Sequence, residues 1–292
     1  MYLVNIEKNN IIYSIDMLRL KTYVSMEQFS KLQFKFETCW KDYLDYNSIS
    51  YKYTDFRFTY HIKMGDNQSF WFGYMPNSEK KDLNKLLYNF TIEFNPNKLK
   101  NNNILLSIIN EFSNWFLKSY DVACDIPISI LDLCGFDKGR KKDVRIFSEG
   151  FNNKTIYLGR RGSSSCVKIY NKKYESNLDI NSELTRIEFS VKSNDYNITN
   201  IKNYHSNFVI PELYTNDYLY TFKDYEDRTL LAILFAVQNG FELNMLTKTY
   251  KRKIKNLLKG GHLIKIEREL CDNILKNVID YYFKIESYEE VV

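Results

Sequence analysis

Residues Thr185-Arg-Ile-Glu-Phe-Ser-Val191 alternate apolar and polar without a break. Successive side chains of an extended strand point to opposite faces. Thr185, Ile187, Phe189 and Val191 therefore share one face, and Arg186, Glu188 and Ser190 share the other. Three further stretches repeat the pattern. In Tyr120-Asp-Val-Ala-Cys-Asp-Ile126 the apolar side is Tyr120, Val122, Cys124 and Ile126, with Asp121, Ala123 and Asp125 opposite. Phe90-Thr-Ile-Glu-Phe94 sets Glu93 across from Phe90, Ile92 and Phe94, and Cys166-Val-Lys-Ile-Tyr170 sets Lys168 and Tyr170 against Val167 and Ile169. Strands that are apolar on one side only build an antiparallel sheet with one packed face and one wet face.

The flanking sequence supplies the rest of the frame. Residues 11–23 are rich in β-branched and aromatic residues and read as a strand. Ser25 then has the character of an N-cap, with Gln28 as its capping-box partner, opening a helix to about Cys39. Residues 51–64 and 68–74 read as a hairpin about Gly65-Asp66-Asn67, and 88–94 as a strand closed by Asn95-Pro96-Asn97. Leu105, Ile108, Ile109, Phe112 and Phe116 recur at helical spacing and predict a helix over 104–118. Strands are expected at 119–126, 155–159, 165–171 and 184–192. Beyond residue 200 the pattern turns helical, at 228–239, 248–259 and 262–285, with Gly240 and Gly260-Gly261 as stops for the first two. The expected fold is α+β: a mainly antiparallel sheet with flanking helices over residues 1–200, then a helical C-terminal region over 201–292.

Composition narrows the function classes. The 292 residues are 44% hydrophobic and 16% aromatic, enough for a sizeable core. Five cysteines are scattered with no CxxC spacing, so neither a disulfide framework nor a zinc site is indicated, and a reducing cytoplasm is the natural compartment. Residues 1–20 lack the features of a signal peptide, and the apolar run Leu230-Leu-Ala-Ile-Leu-Phe-Ala-Val237 is too short to span a bilayer, so no membrane is expected as a partner. The net charge of +5 permits nucleic-acid binding without demanding it.

The polar faces of these strands carry the chemistry. Wet sheet faces are polar by default, but carboxylates, a lysine, an arginine and a tyrosine on one face suit phosphoryl transfer. Mg²⁺ or Mn²⁺ takes oxygen ligands, polarises a phosphate and clamps in-line attack. Glu188, Asp125, Asp121 and Glu93 are the candidate ligands. Asp121 and Asp125 lie four residues apart, about 13 Å on a strand, so they do not both ligate one ion. His61, His205 and His262 are too dispersed for a His-hydrophobe-His metal pair.

The stretch Thr155-Ile-Tyr-Leu-Gly-Arg-Arg-Gly-Ser-Ser-Ser-Cys-Val-Lys-Ile-Tyr-Asn-Lys-Lys-Tyr-Glu175 resembles the signature of the Rep-trans family of rolling-circle plasmid replication initiators. Matches flank it in order: Ile92-Glu-Phe-Asn-Pro-Asn-Lys98, Asp121-Val-Ala-Cys-Asp125, Arg186-Ile-Glu188, and the basic element Thr249-Tyr-Lys-Arg-Lys-Ile-Lys-Asn-Leu257. The resemblance spans roughly residues 88 to 260. One departure is Ser190, where the family often has a second glutamate.

The resemblance implies a metal-dependent, site-specific single-strand DNA endonuclease and strand transferase. Such proteins bind a double-strand plasmid origin, usually as dimers, nick one strand, form a 5′-phosphotyrosine link, leave a free 3′-OH primer and recruit a host replicative helicase. The nucleophile falls on Tyr170, one of 24 tyrosines, which the resemblance and not the pattern singles out. A phenol ionises near pH 10, so Lys168 or Arg186 would help it ionise or would stabilise charge on the phosphate. With this nucleophile, at least two of the candidate carboxylates must lie near its hydroxyl. Lys172, Lys173 and the cluster Lys251, Arg252, Lys253 and Lys255 are candidate DNA contacts. On this view residues 1–200 nick and close DNA and 201–292 bind the origin. Two rivals share parts of this reading: a conjugative relaxase with the same chemistry, and a non-catalytic DNA-binding replication regulator.

Overall fold

The computed structural model describes residues 5–45, 55–65, 68–79, 85–99, 102–136, 144–148, 154–160, 166–175, 183–215, 225–238, 241, 243–260 and 263–284. Its strands are β1 (Asn5–Lys8), β2 (Ile11–Val24), β3 (Phe56–Lys63), β4 (Ser69–Pro76), β5 (Tyr88–Phe94), β6 (Phe116–Ile126), β7 (Leu133–Phe136), β8 (Val144–Ser148), β9 (Lys154–Leu158), β10 (Val167–Asn171), β11 (Thr185–Asn197), β12 (Glu212–Thr215) and β13 (Leu263–Ile264). The helices are α1 (Met26–Thr38), α2 (Asn103–Glu111), α3 (Lys172–Glu175), α4 (Tyr225–Gln238), α5 (Lys248–Gly260) and α6 (Arg268–Phe283).

A ten-stranded sheet runs in the order β3-β4-β5-β2-β6-β11-β10-β9-β8, with β1 added beside β2, and a small sheet runs β13-β12-β7. Neighbouring strands pair antiparallel throughout. The α+β class expected from the alternation is the class found. Tyr13, Leu18, Phe72, Phe90, Val122, Cys124, Ile187 and Phe189 are buried on one side of the large sheet, and α1, α2 and α6 pack there.

The capping box at Ser25 is present. The Ser25 hydroxyl accepts from the Gln28 N–H at 3.2 Å, and the Gln28 side chain accepts from the Ser25 N–H at 3.0 Å. It aims the buried side of α1 at the sheet, where Phe29 stacks on Tyr74 and Phe36 on Phe72, with ring centroids 4.0 and 4.6 Å apart. Ser25→Ala is expected to cost about 1 kcal/mol, read as a lower urea midpoint with an unchanged slope.

Three boundaries differ from the sequence reading. The helix expected over 104–118 stops at Glu111, and residues from Phe116 join β6. Asn114 adopts a left-handed φ of 57°, and the Trp115 indole N–H donates to the Ile109 and Phe112 carbonyls at 3.0 Å each. The indole thereby satisfies carbonyls that a longer helix would have bonded. The last helix begins at Arg268 and not at 262, because Leu263 and Ile264 pair with β12. β11 runs on to Asn197 past a bulge between Lys192 and Tyr196.

The core does not divide at residue 200. Cys271, Ile274, Leu275, Val278, Ile279 and Tyr282 of α6 are buried in the same cluster as the large sheet, with the Tyr282 ring edge-on to Phe94 at 4.9 Å. A smaller cluster of Tyr214, Leu230, Leu234 and Ile254 joins β12, α4 and α5. Residues 51–54, Asp66, Asn67, 161–165, Gly240, Gly261 and His262, named in the sequence reading, lie outside the described residues. No helix among the described residues is long and apolar enough to cross a membrane.

Candidate active site

The chemistry gathers where β10, β11, β6 and β2 lie side by side. Tyr170 pairs across β10 with Arg186 of β11, and Lys168 with Glu188. Arg186 in turn pairs with Asp125 of β6, and Glu188 with the small, buried Ala123. Diagonal neighbours on one sheet face lie within reach of long side chains. The Tyr170 hydroxyl accordingly donates to Glu188 Oε1 at 2.5 Å. Lys168 completes the group. Its ammonium sits 3.7 Å from the centre of the Tyr170 ring, 3.7 Å from Glu188 Oε2 and 3.6 Å from Glu175 Oε1.

Tyr170 is only 3% exposed. Burial, and then the negative Glu188, push its phenol well above the ordinary value, so the hydroxyl rests as a neutral donor. Burial also raises Glu188, against the pull of Lys168 and of the Tyr170 hydrogen bond. A carboxylate raised in this way is better suited to take a proton.

Arg186 belongs to a second knot beside the first. Its Nε and Nη2 donate to the two oxygens of Asp125, each at 2.6 Å, and its Nη1 donates to Asp16 Oδ1 at 3.2 Å. Asn95 Nδ2 also donates to Asp16 Oδ1, at 3.0 Å. Asp16 was not anticipated. The register of β2 against β6 jumps from Ile15 to Met17, so Asp16 is a bulge residue, and bulges re-aim side chains beside functional sites. The signal lay in the sequence: Ile11, Tyr13 and Ile15 are buried at odd positions, whereas Leu18 and Leu20 are buried at even ones. Glu175, on the short α3, was also missed. Burial works against its ionisation, but Lys172, at 3.0 Å, and Lys168 hold its carboxyl below the usual value.

The demand for two candidate carboxylates at the Tyr170 hydroxyl is met by one, Glu188. Asp125 stands behind Arg186. Asp121 lies further along β6, opposite Ser190 and Met17. Glu93 pairs with Arg19 of β2. Three strands separate β5 from β10, about 19 Å at the usual strand spacing, so Glu93 and Glu188 do not share an ion with the tyrosine.

A hard divalent cation needs several oxygens converging on one point. Among the described residues no three His, Cys, Asp or Glu side chains converge in that way, and both Asp125 oxygens are held by Arg186. As arranged, the four expected ligands do not fit a single Mg²⁺ or Mn²⁺. The position facing Glu188 Oε2 belongs to the Lys168 ammonium.

Lys172 lies 5.8 Å from the Tyr170 ring centre, and Lys173 is half-buried beside it on α3. Lys251, Arg252, Lys253 and Lys255 are on α5, which buries Ile254 in the smaller cluster. Arg252 and Lys255 are exposed there, and the Lys251 ammonium donates to Asn244 Oδ1 at 2.8 Å.

No family model matches the chain. A replication initiation protein of Staphylococcus aureus is 28% identical to it over 198 residues, 64% of this chain and 60% of the relative. The chain thus spans less than two thirds of that relative's length. A solved structure, the rolling circle replication initiator protein from Geobacillus stearothermophilus, is 11% identical over 88% of this chain and 99% of its own, with a TM-score of 0.39. The resemblance to replication initiators read from the sequence motifs is borne out by the sequence comparison: the chain is similar to a replication initiation protein.

Proposed function

We propose that the chain is a rolling-circle replication initiator that nicks one strand of a plasmid origin, with Tyr170 as nucleophile. The observation that carries the reading is the buried Tyr170 hydroxyl donating to Glu188 beneath the Lys168 ammonium. In the proposed step the phenol proton passes to Glu188 Oε1 as Tyr170 Oη bonds to phosphorus. The bond from phosphorus to the 3′-oxygen breaks, and that oxygen leaves as a hydroxyl after taking a proton from solvent. The product is a 5′-phosphotyrosine that keeps the phosphodiester energy for later rejoining. Lys168 offers its charge to the phosphate oxygens as negative charge builds. Arg186 acts one step back: locked to Asp125 and Asp16, it positions β11 and hence Glu188.

Since the four expected ligands do not converge on one point among the described residues, no step is assigned to Mg²⁺ or Mn²⁺. A divalent ion, when bound, would supply Lewis-acid activation of the phosphate. The proposed partners are a double-strand origin, a host replicative helicase and a second copy of this chain.

The test is a supercoiled plasmid carrying the cognate origin, mixed with the protein in Mg²⁺ or Mn²⁺. Nicked circles and a protein–DNA adduct that survives SDS are expected. Binding without cutting would replace this reading by the non-catalytic regulator.

A further inference from the structure

The wet face of the sheet continues past the tyrosine into a second group of charges. Arg19 and Lys21 lie on β2, Lys118 on β6 and Lys192 on β11, three strands that neighbour one another. Register brings them together, since Ser119 pairs with both Arg19 and Lys192, and Lys21 pairs with Phe116. Lys118 falls at a register jump on each side, against β2 and against β11. These irregularities turn it out of the regular alternation.

Two acids answer part of this charge. Arg19 pairs with Glu93, and the Lys21 ammonium lies 2.6 Å from Asp195. Among the described residues no ion pair joins Lys118 or Lys192 to a carboxylate. Lys118 instead points over the Phe56 ring, 6.0 Å from its centre. Burial, with Arg19, Lys21 and Lys192 nearby and Asp195 opposing, holds its ammonium below the usual range. A half-buried lysine crowded by like charges is an arrangement that an anion would relieve.

Aromatic rings lie beside these charges. Tyr23 is 42% exposed and meets Phe116 edge-on at 6.2 Å, and Phe56 meets Trp71 edge-on at 5.2 Å. Gly73 leaves room for the second pair, because a Cβ there would lie 2.7 Å from both Phe56 Cγ and Trp71 Cζ2. Cations interleaved with accessible rings are what a single nucleic-acid strand uses, phosphates on the cations and bases on the rings. A duplex offers no free base faces to such rings.

The group is also at a useful distance. Lys192 is four residues beyond Glu188 on β11, about 13 Å along the strand. A single strand covers that distance in a few nucleotides.

We propose that Arg19, Lys21, Lys118 and Lys192, with Tyr23 and Phe116, form a second contact that holds a single DNA strand a few nucleotides from Tyr170. The inference rests on the reading of the chain as a strand-nicking initiator, yet its test needs no nicking. A fluorescein-labelled 20-nucleotide single strand is titrated with the full chain between 50 and 200 mM salt and followed by anisotropy. Lys192→Glu and Lys118→Gln are each expected to weaken binding several-fold or more at about 0.1 M salt. Each should also flatten the log–log salt slope by about 0.7, the share of one single-strand phosphate contact. Lys192 is exposed, so its variant should fold, and thermal melting checks both. If Lys118→Gln fails to fold, Lys192→Glu alone decides.

Unchanged affinity and slope in folded variants would overturn the proposal even if wild-type protein nicks its origin. Equal losses on single strand and on duplex of the same sequence would overturn it too, by making this group of charges a duplex contact. If no adduct ever forms but the variants lose single-strand binding selectively, the contact stands and the nicking reading falls.

Discussion

Tyr170→Phe is expected to abolish the SDS-resistant adduct and to lower origin nicking on the order of 10⁶-fold, the scale on which loss of a covalent nucleophile is felt. At 1.36 kcal/mol per decade that is about 8 kcal/mol of transition-state stabilisation. Phenylalanine keeps the ring under the Lys168 ammonium and fills the same buried space, so the sheet should stay intact. What disappears is the oxygen and its hydrogen bond to Glu188, worth about 1.5–3 kcal/mol for a charged acceptor. Thermal melting should therefore show a folded protein of modestly lower stability. Oligonucleotide binding should persist, because the basic groups are untouched. The informative rival is Tyr174, four residues on and 52% exposed. Mass spectrometry of the peptide bearing the nucleotide decides between them, and an adduct on Tyr174 would remove Tyr170 from the mechanism.

Glu188→Gln should lower the nicking rate by about 10²–10⁴-fold, the range for loss of a general base, while leaving the fold at least as stable at pH 7. The sign follows from the direction of its shift. Burial raises the folded pKa of Glu188 above its unfolded value, so the folded state prefers the protonated acid. Its stabilising effect is present below about pH 4.5 and is lost as pH rises through the raised folded value. Glutamine removes that penalty and can still accept from the Tyr170 hydroxyl. Activity runs the other way, because only the ionised carboxylate takes the phenol proton. Wild-type nicking should fall as pH is lowered through the Glu188 pKa, and the residual rate of the glutamine variant should lack that limb. A variant with full activity, or an unchanged acid limb, would show that Glu188 is not the base.

Much of this frame was legible because it is local. The alternation in 185–191 and 120–126 reports burial directly, and the Ser25–Gln28 pair reports a helix start within four residues. The site was legible only in part. Tyr170, Lys168, Arg186 and Glu188 share a face by strand period alone, but period does not say which residues stand across the gap. The partners of Arg186 depend on the register between β11 and β6 and on the Asp16 bulge. Glu93 looked equivalent to Glu188 along its own strand, and only the strand order sets it beside Arg19 and about 19 Å from the tyrosine. The early end of α2 depends on a tryptophan side chain bonding to backbone, which no apolar spacing encodes.

The strand order has one more consequence, in time. The central neighbours β2, β6 and β11 come from residues 11–24, 116–126 and 185–197, so each pairing closes a long loop. Sheets dominated by such non-local pairings fold slowly, in milliseconds to seconds, whereas a ribosome adds about 5–20 residues per second. A growing chain therefore carries Tyr170 before its partners on β11 exist: Glu188 has yet to be added, and Asp16, long since made, has no Arg186 to hold. On the proposed reading, a partly made protein therefore carries the nucleophile without its base.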